Sequence, residues 1–571
     1  MSETRHAVLP AAAELPEAIA AIEAALKSGD TAAAGATIAE ARARWPKELR
    51  LILFEGAHLG ATGQTAAAEA CFRDAMRSHP SNPWPAIRLL ELLLAGRRTN
   101  EAASLFAATV WPGPAPAQTR LPFLSRITSA IGDLAERRGF LDTLMRDAPE
   151  DRFVLAKRVA LSLRQRDRAE AEALLDRARA LGPLPDDAQV LALEIMITAT
   201  RFDEALALAN ALRARFPDRP DFVRRAIQAA HFLGREAEMV ALLDEALERW
   251  PGDWLMVFRY NRCTVPMADD RRLFARLAAH RPSMDGNERW LFQYVVACLR
   301  HGRTAEAMAT LALVQDTGPA GSMAAPLRAA LARLPAEDWR STRGVVNDPA
   351  QEMQVVTRAD ARATLVLLAG VQGGLGYLPM DHTDALMAGL PVNVVYLRDL
   401  DHRGFTGGMR GLGPGPEDMI AALRRITEPF GLPVVTFGSS IGGVAAIRTA
   451  LDLRAHAAIS FAGPIHLGAM TEEEEDQPGE GARSTIFGQF AAADLSLVER
   501  VRQQPGVGVY QCYGADFAPD VADAELLRGL PNAVLIPVPG CADHFAIEHM
   551  IADGSFVAII ERAIAAGPAR P

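Results

Sequence analysis

The chain has 571 residues, of which 49% are hydrophobic, 23% charged and 6% aromatic, and its formal net charge is −10. Those fractions exclude wholesale disorder, collagen-like repetition and a membrane-embedded bundle, while the acidic balance repels phosphate backbones and makes nucleic acid a poor partner. No stretch approaches a membrane-spanning run, and the residues after Met1 lack the apolar core of a secretory signal, so the expected compartment is the cytoplasm.

Residues 1–13 are read as a tail, and from residue 14 the chain acquires a rhythm. Pro46, Pro80, Pro112, Pro149, Pro183, Pro217, Pro251, Pro282 and Pro319 follow one another at spacings of 34, 32, 37, 34, 34, 34, 31 and 37 residues. Four of them close an Ala-rich amphipathic stretch that begins 17 residues earlier at a turn residue: Gly63, Arg166, Gly234 and Gly302. Two helices per unit are predicted, with alanines allowing close approach, a Gly or polar turn between, and a proline that cannot continue the second helix. The pattern resembles the tetratricopeptide repeat (TPR), whose unit is 34 residues. It covers residues 14–340 and loosens after Pro251. The resemblance implies a solenoid of stacked helix pairs, whose concave groove holds a protein or peptide partner, or packs against the C-terminal domain or a second copy of the chain. All seven tryptophans lie in this half, and core packing is the expected role for most.

After Trp339 the texture changes. Apolar, β-prone runs at Met353–Arg358, Thr364–Leu368, Val392–Leu397, Val434–Phe437, Ala457–Phe461, Val507–Tyr513 and Ala533–Val538 alternate with helix-like segments at Pro416–Phe430, Gly443–Leu453, Ala522–Leu530 and Ser555–Ala566. Short apolar strands separated by helices predict a doubly wound, mostly parallel sheet covered on both faces. Residues 341–571 suffice for one such domain. The expected class is therefore an α-helical repeat domain followed by an α/β domain.

The strand at Val434–Phe437 runs into Gly438-Ser439-Ser440-Ile441-Gly442 and then at once into an amphipathic stretch. This is G-x-S-x-G between strand and helix, where the glycines permit a sharp turn that exposes the central serine hydroxyl. A phosphate-binding loop is disfavoured, because neither G-x-G-x-x-G nor a Walker lysine is present. The segment is similar to the α/β-hydrolase superfamily, whose chain order is serine, acid, histidine. The resemblance implies Ser440 as nucleophile and His544, after the last predicted strand and a Pro-Gly turn, as its base. It implies Asp516 as the acid, with Asp520 as the alternative. It also implies oxyanion donors at the backbone N–H of Ile441 and in the Gly-rich loop after Thr364–Leu368, where Val371 and Gln372 are named. His549 is assigned a surface or capping role.

The implied chemistry is attack by Ser440 on an ester or thioester carbonyl, and it needs no metal or organic cofactor. Cys71, Cys263, Cys298, Cys512 and Cys541 show neither a C-x-x-C pair nor metal-ligand spacing, so no disulfide framework or zinc site is expected. Two inserts are placed to meet substrate. One is Arg398–Pro416, with Arg398, His402, Arg403 and Arg410 facing an anionic or sugar group; the other is a short cap from Gly463 to Val501, with the acidic run Glu472–Asp476 as a solvated loop. The leading function is thus a serine esterase with helical repeats for interaction or substrate positioning, including deacylation of a bulky or glycan-linked substrate. The alternatives are a repeat scaffold with an inactive hydrolase-like domain, or a thioesterase or acyltransferase with the same triad.

Overall fold

The computed structural model describes residues 14–334, except 29, 166, 185–188, 190–191, 194 and 198–199, together with residues 341–466 and 496–566. The tail 1–13, Trp339, the acidic run Glu472–Asp476 and most of the expected cap lie outside the described residues. The chain forms two compact units, Met1–Ile195 and Met196–Pro571.

The first unit is built of helix pairs. The leading helix of each pair begins at Leu15, Leu49, Trp84, Ala117 and Arg152, so the repeat period visible in the prolines is the period of the helices. Its physical basis is at the helix ends. The residues before Pro46, Pro80 and Pro149, and before Pro217 and Pro251 in the second unit, leave the helix with φ between −126° and −137° and ψ between 58° and 72°. Proline forces that departure, because its ring crowds a preceding residue out of the helical region. Between the helices of a pair, Gly63, Gly234 and Gly302 turn the chain at φ of 80°, 66° and 65°, a left-handed conformation that costs glycine little. Trp111 and Trp290 are buried as expected, whereas Trp84 is 45% exposed.

The second unit combines further helix pairs with the sheet. Leading helices begin at Pro220, Trp254, Glu288 and Gly321, but Trp254–Asn261 and Thr304–Leu311 have only eight residues each, which is the loosening seen in the sequence. These helices dock on the α/β part through buried and surface contacts. Thr304 Oγ1 is 3.0 Å from His382 Nε2, and His382 Nδ1 is 2.8 Å from Asp381 Oδ1. Arg333 donates to the Ala552 carbonyl at 2.7 Å.

The sheet has seven strands: β1 (Met353–Val356), β2 (Ala363–Leu368), β3 (Val392–Leu397), β4 (Val434–Ser439), β5 (Ala457–Phe461), β6 (Gly508–Gly514) and β7 (Ala533–Val538). Their order is β1-β3-β2-β4-β5-β6-β7, with β1 antiparallel and all other pairings parallel. β2, β3 and β5 are buried along their whole length, which is why they read as unbroken apolar runs rather than alternating ones. Helices cover them, including Pro416–Thr427, Ile441–Leu453 and Ser555–Ala565. Two helices not expected from sequence, Met380–Met387 and Ala546–Asp553, complete the cover. The fold is a helical-repeat N-terminal half followed by a doubly wound, mostly parallel seven-stranded sheet.

Candidate active site

The strand order dictates where a site forms. β2 leads towards β3 on one side, and the neighbouring β4 leads towards β5 on the other, so their following loops diverge and leave a crevice at the carboxyl ends. The parallel register sets Leu368 beside Gly438 and Ser439 beside Phe461. The loop after β2 and the turn after β4 therefore meet at one edge.

Ser440 stands at that turn with φ 53° and ψ −122°. A non-glycine residue there is strained, and the surroundings hold it. Its N–H donates to the Phe461 carbonyl at 2.8 Å, and the helix Ile441–Leu453 starts immediately after it. The flanking glycines are required by packing: a Cβ on Gly442 would lie 2.3 Å from the Leu368 oxygen, and one on Gly438 would lie 2.3 Å from the Gly442 oxygen.

Ser440 Oγ is 3.1 Å from His544 Nε2. On the other face of the imidazole, His544 Nδ1 is 2.9 Å from Asp520 Oδ1 and 3.3 Å from Asp520 Oδ2. The acid beside the histidine is thus Asp520, whereas Asp516, the first expectation, faces elsewhere. Asp516 Oδ2 accepts the Gly540 N–H at 3.1 Å, and the Asp516 N–H donates to Cys541 O at 3.0 Å. Those bonds clip the loop after β6 to the loop carrying the histidine. Pro519 in the first turn of the helix Ala518–Glu525 carries Asp520 inward, where it is 9% exposed.

The loop after β2 is held against the turn by two groups that sequence reasoning missed. Ser439 Oγ accepts the Gly376 N–H at 2.8 Å, and Glu548 Oε1 accepts the Tyr377 N–H at 2.8 Å. Glu548 is fully buried, its Oε2 has no partner among the described residues, and burial pushes its carboxyl up to about 8. Nothing in the pattern Phe545-Ala-Ile-Glu-His549 signals an inward carboxyl; only the unexpected helix Ala546–Asp553 puts it there. Val371 packs on the apolar cluster that includes Ile441, and the Gln372 side-chain oxygen is buried without a partner. The backbone N–H groups of Val371, Gln372 and Ile441 donate to no acceptor among the described residues.

Two expected substrate contacts are engaged internally. Arg398 is 6% exposed and donates to Gly373 O at 3.0 Å and Asn347 Oδ1 at 2.9 Å, bracing the Gly-rich loop. Arg410 pairs with Asp401 at 2.5 Å. Aromatic rings pack beside the loop: Tyr377 stacks on Phe545 at 5.1 Å and meets the buried Phe292, from the helix Glu288–Arg300, edge-on at 5.0 Å. All five cysteines are unpaired. Cys541, Asp543 and His549 bring possible metal-ligand atoms within 4.8 Å of one another. However, the Cys541 thiol donates to Asp543 O at 3.2 Å, and Asp543 Oδ1 accepts from Phe545 N at 2.9 Å. Two of the three groups are therefore already committed to the loop's own bonds.

No protein family matches the chain, and no curated protein is similar to it. Among solved structures, MenH from S. aureus is 15% identical, with 37% of this chain and 97% of that one covered and a TM-score of 0.25. The corresponding values for pilF of Pseudomonas aeruginosa are 15%, 36%, 94% and 0.25. For YrrB, a TPR protein with an unusual peptide-binding site, they are 13%, 39%, 96% and 0.23. At these scores the likenesses carry no weight for function. No described helix is long and apolar enough to cross a membrane.

Proposed function

We propose that the chain is a serine hydrolase acting on carboxylic esters, with Ser440 as nucleophile, His544 as general base and acid, and Asp520 as the orienting acid. The observation that supports this most strongly is the strained Ser440, its Oγ 3.1 Å from a histidine whose other nitrogen faces a carboxylate at 2.9 Å. With the proton on Nδ1, where Asp520 accepts it, Nε2 is free to take the Ser440 proton as Oγ attacks the carbonyl carbon. The oxygen of the tetrahedral intermediate would be met by the N–H of Ile441 and by amides of the loop Val371–Gln372. A preorganised donor of this kind contributes about 3–4 kcal/mol. His544 then returns the proton to the departing alkoxide. Water, deprotonated by the same nitrogen, hydrolyses the acyl-serine, releasing acid and restoring Ser440. The described helix pairs are assigned to partner binding or substrate positioning.

Labelling of the full chain with a fluorophosphonate tests the reading. Wild type should become covalently labelled at Ser440, and Ser440→Ala should not. Equal labelling of both, or none of wild type, would refute the assignment. The full chain is needed because Phe292 and Thr304, outside the sheet region, are buried against it.

A further inference from the structure

The second unit contains a buried cation without a counter-ion. Arg259, on the helix Trp254–Asn261, is 7% exposed, and its Nε is buried with no partner. No hydrogen bond or ion pair engages its guanidinium among the described residues. A guanidinium in that position is costly, and buried charges are ordinarily paired. Carboxylates on the elements around it are engaged elsewhere. Asp221 and Asp253 both bind Arg224, and Asp401 binds Arg410. Burial and the nearby Arg225, Arg262 and Arg224 pull the Arg259 guanidinium down to about 9, which leaves it charged at neutral pH. Cys263, which favours that charge, is pushed up to about 11 by burial and is uncharged there.

Two histidines lie on elements packed against the Arg259 helix, which contacts the helix Pro220–Phe232 and is followed by Thr264, whose Oγ1 is 3.4 Å from the Leu400 oxygen. His231, in the last turn of the helix Pro220–Phe232, and His402, in the loop after β3, meet edge to face with ring centroids 4.8 Å apart. Both feel the charge of Arg259. Burial lowers His402 to about 4 and His231 well below its usual value, so both are neutral near pH 7. His231 Nε2 is buried without a partner, and His402 Nε2 is 3.4 Å from Thr264 Oγ1. Both residues nevertheless retain partial surface exposure. His402 is also held at φ 51°, a left-handed conformation uncommon for a side-chain-bearing residue. Three elements far apart in sequence thus converge on one cationic fork and two neutral imidazoles, with no anion supplied by the described residues.

We propose that Arg259, His231 and His402 form a binding site for the oxyanion group, carboxylate or phosphate, of a ligand. A planar guanidinium matches either group through two parallel N–H donors, and a neutral imidazole adds one more from whichever nitrogen carries the proton. The bound anion supplies the missing counter-charge, and the desolvation that disfavours the empty site strengthens the filled one. The site is independent of Ser440 and does not require the hydrolase reading.

The test is calorimetric titration of the full chain at neutral pH with inorganic phosphate and, separately, with acetate. A thermal melt is recorded at each concentration. Wild type should bind at least one of the two saturably, one per chain, with a rise in melting temperature. Whichever binds more tightly assigns the group. Arg259→Met should weaken that binding by about tenfold or more, while Arg528→Gln, which removes an exposed cation paired with Glu525, should bind like wild type. Arg259→Gln replaces the Met variant if the latter does not fold. Failure of both anions to bind saturably, or equal binding by wild type and the Arg259 variant, would overturn the proposal. Because the readout is binding, it stands or falls separately from labelling at Ser440.

Discussion

Replacing Glu548 with glutamine probes the support of the Gly-rich loop most directly. The side chain is fully buried, accepts the Tyr377 N–H at 2.8 Å, and has a second oxygen without a partner among the described residues. Burial raises the carboxyl from its ordinary 4.5 to about 8, against the weaker opposing effect of the Tyr377 N–H. A raised folded value means that the folded state holds the proton through the window in which the unfolded chain has lost it. Stability therefore falls as pH rises from about 4.5 to about 8, then levels off. The whole displacement corresponds to about 5 kcal/mol at 1.36 kcal/mol per unit, of which about 2–3 kcal/mol falls between roughly pH 6 and pH 9. Glutamine keeps an acceptor for Tyr377 and does not titrate. Its buried NH2 lacks an acceptor, a cost of about 1–3 kcal/mol that is the same at every pH. Melts of wild type and Glu548→Gln across roughly pH 6–9 should therefore converge or cross as pH rises, the variant gaining relative stability by about 2–3 kcal/mol. With two compact units, the transition to follow is the one the substitution moves. Parallel profiles would show that Glu548 is ionised or solvated throughout and would refute the reasoning.

Asp520→Asn should slow fluorophosphonate labelling by about three to four orders of magnitude, because an amide beside His544 Nδ1 favours the wrong tautomer. Asp516→Asn keeps an acceptor for the Gly540 N–H and should label within about tenfold of wild type; a large loss in Asp516→Asn with Asp520→Asn near wild type would make Asp516 the acid. Gly442→Ala puts a methyl carbon 2.3 Å from the backbone oxygen of Leu368. Since neither side is a flexible side chain, destabilisation of about 3 kcal/mol or more is expected, and a melting temperature unchanged from wild type would refute the packing account.

How much of this was legible in the sequence depended on the range of the forces involved. Proline spacing disclosed the helix pairs because the constraint acts on the neighbouring residue: Trp45, His79 and Phe216 must leave the helix ahead of their prolines. All seven strands and the turn at Gly438–Gly442 were equally readable, since continuous apolar runs and a Gly-flanked serine are local signals. The choice between Asp516 and Asp520 was not. Both follow the same strand, and the answer lies in a helix beginning at Ala518 and in two bonds that tie Asp516 to Gly540 and Cys541. Arg398 read as a substrate contact because an arginine in a Gly-rich loop has no local mark of burial; only the packing of that loop against residues 347–348 turned it into a brace.

What the sequence determined by itself was the alternation of helix and strand and the serine at the sharp turn. Each rests on backbone sterics or on periodic burial within a few residues. The tertiary structure alone decided which acid faces His544, that Glu548 supports the loop beside Ser440, and that His231 and His402 meet beside the helix carrying Arg259. These are pairings between residues separated by tens to hundreds of positions. They are set by the parallel register of the sheet and by the docking of residues 202–331 on it, neither of which leaves a local trace in the chain.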